Sequence, residues 1–153
     1  MEVHFVDSNI FYYHLLQDRV YGSRATRILR RIRDGEAAAI SVIVLSELVS
    51  LFEFRMLQTR KREDVSQKER ERIAERFEKS ISDLHDLVTK LVHLEKLDCT
   101  WDDALKAFTY RSEYKLGFND ATNLAVMERN EISNIYSFDK AFDKVPWLKR
   151  KES

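Results

Sequence analysis

The chain has 153 residues, enough for about one domain with a real core, and its 44% apolar and 11% aromatic content against three Gly and one Pro excludes a disordered composition. Lys plus Arg and Asp plus Glu number 26 each, so the formal net charge is zero; this balance neither marks nor excludes a nucleic-acid partner, which depends on how the signs are segregated in space. Cys99 is the only cysteine, which excludes an internal disulfide framework and a cysteine-based zinc site, and no stretch approaches the length of a membrane span, so the expectation is a cytoplasmic protein with no membrane role.

Met1 to Phe11 organises the reading. Val3, Phe5 and Val6 form a short β-branched and aromatic run that stops at Asp7-Ser8-Asn9, a group of turn and helix-capping residues. This predicts a buried strand that delivers Asp7 to its carboxyl end, where open α/β sheets place their ligand crevice. The competing reading is that Asp7 or Ser8 merely caps a helix starting near Ile10. Asn9 to Leu16 is too apolar for a surface loop and reads as that short helix, with His14 packed within it rather than a ligand.

Ser23 reads as the cap of a second helix, with Ala25, Ile28, Leu29 and Ile32 on one stripe, arginines opposite and Gly35 as the stop. Ala37 to Leu45 is a near-continuous apolar run, the pattern of a strand covered on both faces. Ser46 follows as the expected N-cap, which places Glu47 in the first turn of a helix continuing through Leu48, Phe52 and Met56. Ser66 and Glu69 are spaced as a capping box opening a long helix, whose positions Ile73, Phe77, Ile81, Leu84, Val88 and Leu91 form one apolar stripe between charged residues. That stripe suits the sheet, the preceding helix or a second copy of the chain, so a homodimer is expected.

Val92 to Leu97 reads as a third strand near the sheet edge, and Thr100 with Asp103 as the cap of a further helix. Gly117-Phe118-Asn119 interrupts the helical pattern, Asp120 starts the next helix, and Asn123 shares its face one turn on. Ile135 to Phe138 is a short strand ending at Asp139, and Val145 to Leu148, with Pro146, reads as an edge piece. Alternating strands and helices predict an α/β protein with a parallel sheet, one domain over residues 1–153 with a long charged helical segment at about 63–92.

Asp7, Glu47, Asp120 and Asp139 each lie just after a strand or at a first helical turn. A helix dipole favours any one of them by about 0.3 to 1 kcal/mol. Four such acids at one sheet edge would repel one another and raise each other's pKa, which implies a compensating cation. All-oxygen ligands without cysteine or a histidine pair favour Mg²⁺ or Mn²⁺, and Mg²⁺ also takes phosphate oxygens, which points to phosphate ester hydrolysis.

Val-Asp-Ser-Asn-Ile-Phe around Asp7, Ser-Glu-Leu around Glu47, Asn-Asp-Ala-Thr-Asn-Leu-Ala around Asp120 and Tyr-Ser-Phe-Asp-Lys-Ala-Phe around Asp139 together resemble the PIN-domain family, with a size and motif order similar to the VapC-type toxin ribonucleases. The resemblance implies a three-layer α/β/α fold with a parallel sheet in order 3-2-1-4-5. It implies an Mg²⁺- or Mn²⁺-dependent endoribonuclease acting on single-stranded RNA, commonly a homodimer and, for a toxin, paired with an antitoxin protein. Asp7, Glu47, Asp120 and Asp139 carry over as the acidic metal-binding set, and Asn9, Asn123 and Ser137 as polar supporters, with Ser137 standing where Thr is more usual. RNA meeting an acidic pocket needs a basic rim, for which the candidates are Arg24, Arg27, Arg31, Arg60, Arg62, Lys140 and Lys144; a surface kept charged for solubility is the plainer reading of each.

Two rival enzyme classes fit less well. Haloacid-dehalogenase-like phosphatases use a second Asp two residues after the first, where this chain has Asn9, and receiver-like phospho-acceptors want an early acidic pair. The non-enzymatic alternative is a catalytically silent PIN domain that binds RNA or protein.

Overall fold

The opening run becomes the middle of the sheet. Strand β1 (His4–Val6) is buried along its whole length and pairs in parallel with β2 (Ala38–Ser41) on one side and β4 (Asn134–Tyr136) on the other. Strand β3 (Leu94–Leu97) extends the sheet beyond β2, and β5 (Lys149–Lys151) beyond β4, giving an all-parallel sheet in order β3-β2-β1-β4-β5. The computed structural model of the chain describes residues 2–153; Met1, where the opening stretch begins, lies outside the described residues. Six α-helices among the described residues flank the sheet: α1 (Ser8–Leu15), α2 (Gly22–Arg33), α3 (Val42–Arg60), α4 (Gln67–Lys90), α5 (Trp101–Tyr114) and α6 (Phe118–Arg129). This is the three-layer α/β/α arrangement and strand order expected. Phe5, Val6, Ile28, Ile32, Leu48, Phe52, Leu124 and Ile135 are at most 1% exposed and form the core between the layers.

The apolar run of residues 37–45 splits where a single strand was expected. Only its first half is strand; Ser41, still extended at φ −106° and ψ 162°, caps α3 with its hydroxyl accepting from the Val44 amide at 3.4 Å. Ser46 is therefore inside α3, not its cap, and Glu47 lies in the second turn instead of the first. Val-Ile-Val-Leu suits a buried helix as well as a strand, and a helix lets Val44 and Leu48 bury together four residues apart.

Other boundaries move for equally local reasons. Tyr21, not Ser23, precedes α2, and Asp18 orders the approach by accepting from the Val20 and Tyr21 amides. Gly22 allows the close approach there, since a Cβ at that position would meet the Gln17 carbonyl carbon at 3.2 Å. Gly35 ends the connection at φ 123°, the stop that was expected. The Ser66 box is half formed, because Ser66 accepts from the Glu69 amide at 3.1 Å while the Glu69 carboxylate turns to Arg72. Thr100 and Asp103 complete theirs reciprocally. The last strand is Lys149–Lys151, just beyond the expected edge piece with Pro146, and β3 begins two residues later than expected.

Helix α4 lays its stripe on α3 and α1 of its own chain. Ala74, Ser80 and Leu84 are buried there, and the rings of Phe77 and Phe52 lie 6.3 Å apart. No helix of the described residues is long and apolar enough to cross a membrane.

Candidate functional site

The carboxyl end of β1 brings Asp7 to a point where its amide donates to the Tyr136 carbonyl at 3.0 Å, holding the end of β1 against β4. The Asp7 carboxylate caps α1 by accepting from the Ser8 amide at 2.8 Å, so the capping role and the site position coincide in one residue. Its other oxygen accepts from the Ser137 hydroxyl at 2.6 Å and from the Asn9 amide group at 3.3 Å. Asn9 also donates to Ser137 at 3.2 Å and accepts from the Phe138 amide at 3.3 Å. Two of the three expected polar supporters thus form one network that fixes how Asp7 points. Asp7 is 4% exposed, and burial pushes its pKa up, opposed by the bonds from Ser137 and Ser8.

Glu47 arrives from the second turn of α3 and Asp120 from the first turn of α6, after Gly117 ends the preceding connection in extended geometry. One carboxylate oxygen from each of Asp7, Glu47 and Asp120 lies within 4.8 Å of the others. Burial first, and then the Asp7 charge, pushes Glu47 up to about 7, with Asn119 offsetting part of the rise. Asp120 is also pushed up to about 7, by burial and then by Asp7, Glu47 and Asp139, with every influence acting in the same direction. The Oε1 atom of Glu47 is buried without a hydrogen-bond partner among the described residues. Three close carboxylates, one with an orphaned buried oxygen, fit a hard divalent cation, which takes oxygen ligands and relieves the repulsion.

Asp139 stands apart from this group. The chain leaves the sheet at Tyr136, earlier than expected, and the exposed Asp139 caps the short 3-10 turn Lys140–Lys144, its carboxylate accepting from the Ala141 amide at 2.9 Å. It acts on the site by charge, raising Asp7 and Asp120. Its amide donates to the Ser137 hydroxyl at 3.0 Å, which ties it to the Asp7 network.

Asn123 is 1% exposed and touches Ser41, whose hydroxyl donates to its side-chain oxygen. It pins α6 to the junction of β2 and α3, the two elements that set the separation of Asp120 and Glu47, and makes no hydrogen bond to the acids. Two residues of the cleft that Glu47 lines were missed. Asn119 abuts Glu47, and Arg55 lines the same cleft of about 490 Å³ between α1 and α3. The step of four from Glu47 through Leu51 to Arg55 was the available signal for the second. Asn119 was read as part of a helix breaker and as the first residue of the motif around Asp120, and was given no role of its own.

The expected basic rim is dispersed. The Arg24 guanidinium lies 5.2 Å from the centres of the Tyr21 and Phe138 rings and pairs with Glu152, which keeps it beside the Asp139 segment. Arg31 is at the amino-terminal edge of the sheet, bound to Glu36 at 3.1 Å and to the Tyr136 hydroxyl at 3.0 Å, so it does not border the acids. Arg27 lines a separate depression on α2, Arg62 pairs with Asp64, and the Lys144 ammonium donates to the Lys115 carbonyl at 3.5 Å. Arg60 ends α3, and Lys140, exposed, follows Asp139. His14 packs as expected, its ring nitrogen 2.8 Å from the Thr26 hydroxyl.

The profile of the PIN domain matches residues 4–148, and the chain belongs to the PIN-domain family. No curated protein matches it by sequence. Among solved structures, it is similar to VapC20 of Mycobacterium tuberculosis, a Sarcin-Ricin loop cleaving toxin, at 18% identity and TM-score 0.65 over 97% of this chain and 98% of that one. It is also similar to VapBC2 from Rickettsia felis, solved with a promoter DNA fragment, at 18% identity and TM-score 0.63 over 97% of each chain. A toxin-antitoxin complex from Klebsiella pneumoniae matches at 18% identity and TM-score 0.59 over 98% of each chain. At these identities the likeness carries the fold.

Proposed function

We propose that the protein is a divalent-metal-dependent endoribonuclease that hydrolyses phosphodiester bonds of single-stranded RNA, and that it is the toxin of a toxin-antitoxin pair in the cytoplasm. The observation that carries this reading is the convergence of Asp7, Glu47 and Asp120 within 4.8 Å at the carboxyl edge of the sheet, beside an open cleft. A cluster made only to cap helices would have no reason to bury the Glu47 Oε1 atom unpartnered.

Asp7, Glu47 and Asp120 would hold Mg²⁺ or Mn²⁺, with Asp139 joining from the rim. When bound, the ion supplies positive charge that polarises the scissile phosphodiester and makes water a better nucleophile near neutral pH. The chain's own contribution is orientation. Ser8, Asn9 and Ser137 aim Asp7, Asn119 lines the cleft with Glu47, and the Ser41 to Asn123 bond sets the spacing of α3 and α6. The likeness to toxin-antitoxin complexes supports an antitoxin partner, and a homodimer, implied by the family resemblance, is proposed as part of the same reading.

The test is cleavage of a labelled single-stranded RNA with Mn²⁺, Mg²⁺ or EDTA, beside an Asp7→Asn variant prepared identically. Cleavage that needs metal and is lost in the variant supports the reading. Equal cutting by both proteins assigns the signal to a contaminant and removes the support for this site.

A further inference from the structure

Arg55 is the one cation lining the cleft that holds Glu47 and Asn119, among the described residues. It lies two steps of four from Glu47 on the same face of α3, about 12 Å along the helix axis, with Leu51 between them on the cleft floor. Side chains on a helix lean toward its amino end, which is the direction of Glu47 from Arg55. Opposite it, α1 contributes the half-buried rings of Tyr12 and Tyr13 as the other wall.

The charge setting of Arg55 differs from that of the paired arginines of the expected rim. Arg24 is committed to Glu152, Arg31 to Glu36 and Arg62 to Asp64, whereas Arg55, like Arg27 and Arg60, pairs with no carboxylate among the described residues, and of these three Arg55 alone lines the cleft. An exposed guanidinium without a partner has no ion pair to give up when it meets an anion. Its planar fork of donors matches two oxygens of a phosphate. A polyanion entering a cleft lined by Glu47, with Asp7 and Asp120 clustered beside that carboxylate, needs such a counter-charge, and the dispersed rim supplies none inside the cleft.

We propose that Arg55 receives a backbone phosphate of the RNA flanking the scissile one, so that the strand runs along the α1–α3 cleft from the acids toward the middle of α3. The distance to Glu47 is too great for one phosphate to meet both, which makes Arg55 a positioning residue and separates it from the reacting phosphate. This inference rests on the nuclease reading above. It adds a direction for the strand and a residue that none of the sequence motifs contains.

The experiment is steady-state cleavage of a short fluorescein-labelled single-stranded oligoribonucleotide in Mn²⁺ over a range of KCl. It compares the wild type with Arg55→Gln, Arg55→Lys and, as a charge-matched control, Lys79→Gln on the exposed face of α4. The expected result is a KM about tenfold higher in Arg55→Gln at low salt, with kcat within about twofold. The slope of log(kcat/KM) against log[KCl] should be shallower by about 0.7, the loss of one phosphate contact on a single strand. Arg55→Lys should keep most of the slope, and a merely structural role would not change it at all. If the wild type cleaves and Arg55→Gln matches it in KM and slope, the inference is overturned while the nuclease reading stands. If wild-type preparations show no metal-dependent cleavage, both fall together.

Discussion

Replacing Asp120 by Asn should make the metal-free protein more stable. In that state Asp120 carries no compensating cation, and burial together with Asp7, Glu47 and Asp139 pushes its carboxyl from the ordinary value near 3.8 up to about 7. A carboxyl whose folded pKa is raised binds a proton that the unfolded chain has already released. Stability therefore falls as the pH climbs from about 4 to about 7, and the whole penalty is present above that window. Each tenfold change in proton affinity is worth about 1.4 kcal/mol, so the full displacement would correspond to roughly 4 kcal/mol. Removing one member of a mutually repelling set returns only its share, and Asn gives up about 0.5 kcal/mol of dipole stabilisation at the start of α6, leaving an expected gain of about 2 kcal/mol. For a chain of this length that raises Tm by about 6 °C. The assay is thermal unfolding in EDTA at about pH 8 and about pH 5, where the gain should largely vanish, with a parallel series in Mn²⁺, where the wild type should gain stability and the variant much less. A variant less stable than the wild type in EDTA at the higher pH would refute the electrostatic account of the site.

Ser137→Ala removes the hydroxyl that donates to Asp7 and accepts from the Asp139 amide, so it should cost about 1 to 2 kcal/mol in thermal unfolding and weaken Mn²⁺ binding by about 10- to 100-fold in calorimetry, with Ser137→Thr close to the wild type. Ser41→Ala and Asn123→Ala break the same buried bond, so the double variant should unfold only slightly more easily than either single one, with a coupling of about 1 kcal/mol in a double-mutant cycle. Leu84→Ala opens a cavity where α4 meets the rest of the chain, Leu84 being 1% exposed, and should cost about 3 kcal/mol by denaturant titration; a change below about 0.5 kcal/mol would mean that α4 is not packed there.

Much of this arrangement was legible in the sequence, for identifiable reasons. A strand running directly into Asp-Ser-Asn can hardly end anywhere else, which is why the strand end before Asp7 and the helix after it were legible. The family motifs brought Glu47 and Asp120 with them. The boundary of α3 was not legible, because Val-Ile-Val-Leu buries equally well as strand or helix; the choice is made by Ser41, which bonds across to Asn123 on an element 82 residues away. Asp139 was read as the end of a strand, but Ser137 turns its hydroxyl to Asp7 and the backbone leaves the sheet before the acid arrives. Arg31 illustrates the limit of counting charges on a helix face. Its place at the amino-terminal edge follows from the direction of α2 and its partner Glu36, which a charge pattern does not specify. Asn119 and Arg55 matter only because α1, α3 and α6 converge, and no local pattern encodes that meeting.

The most direct test of the central claim is Mn²⁺ binding followed by electron paramagnetic resonance in the wild type and in Asp7→Asn, Glu47→Gln and Asp120→Asn, each checked for folding by circular dichroism. The account predicts a site in the wild type that all three substitutions weaken by at least about tenfold, because each removes one of the converging carboxylates. Undiminished Mn²⁺ binding in the three folded variants would contradict it, and the cluster would then be no more than three helix-associated acids.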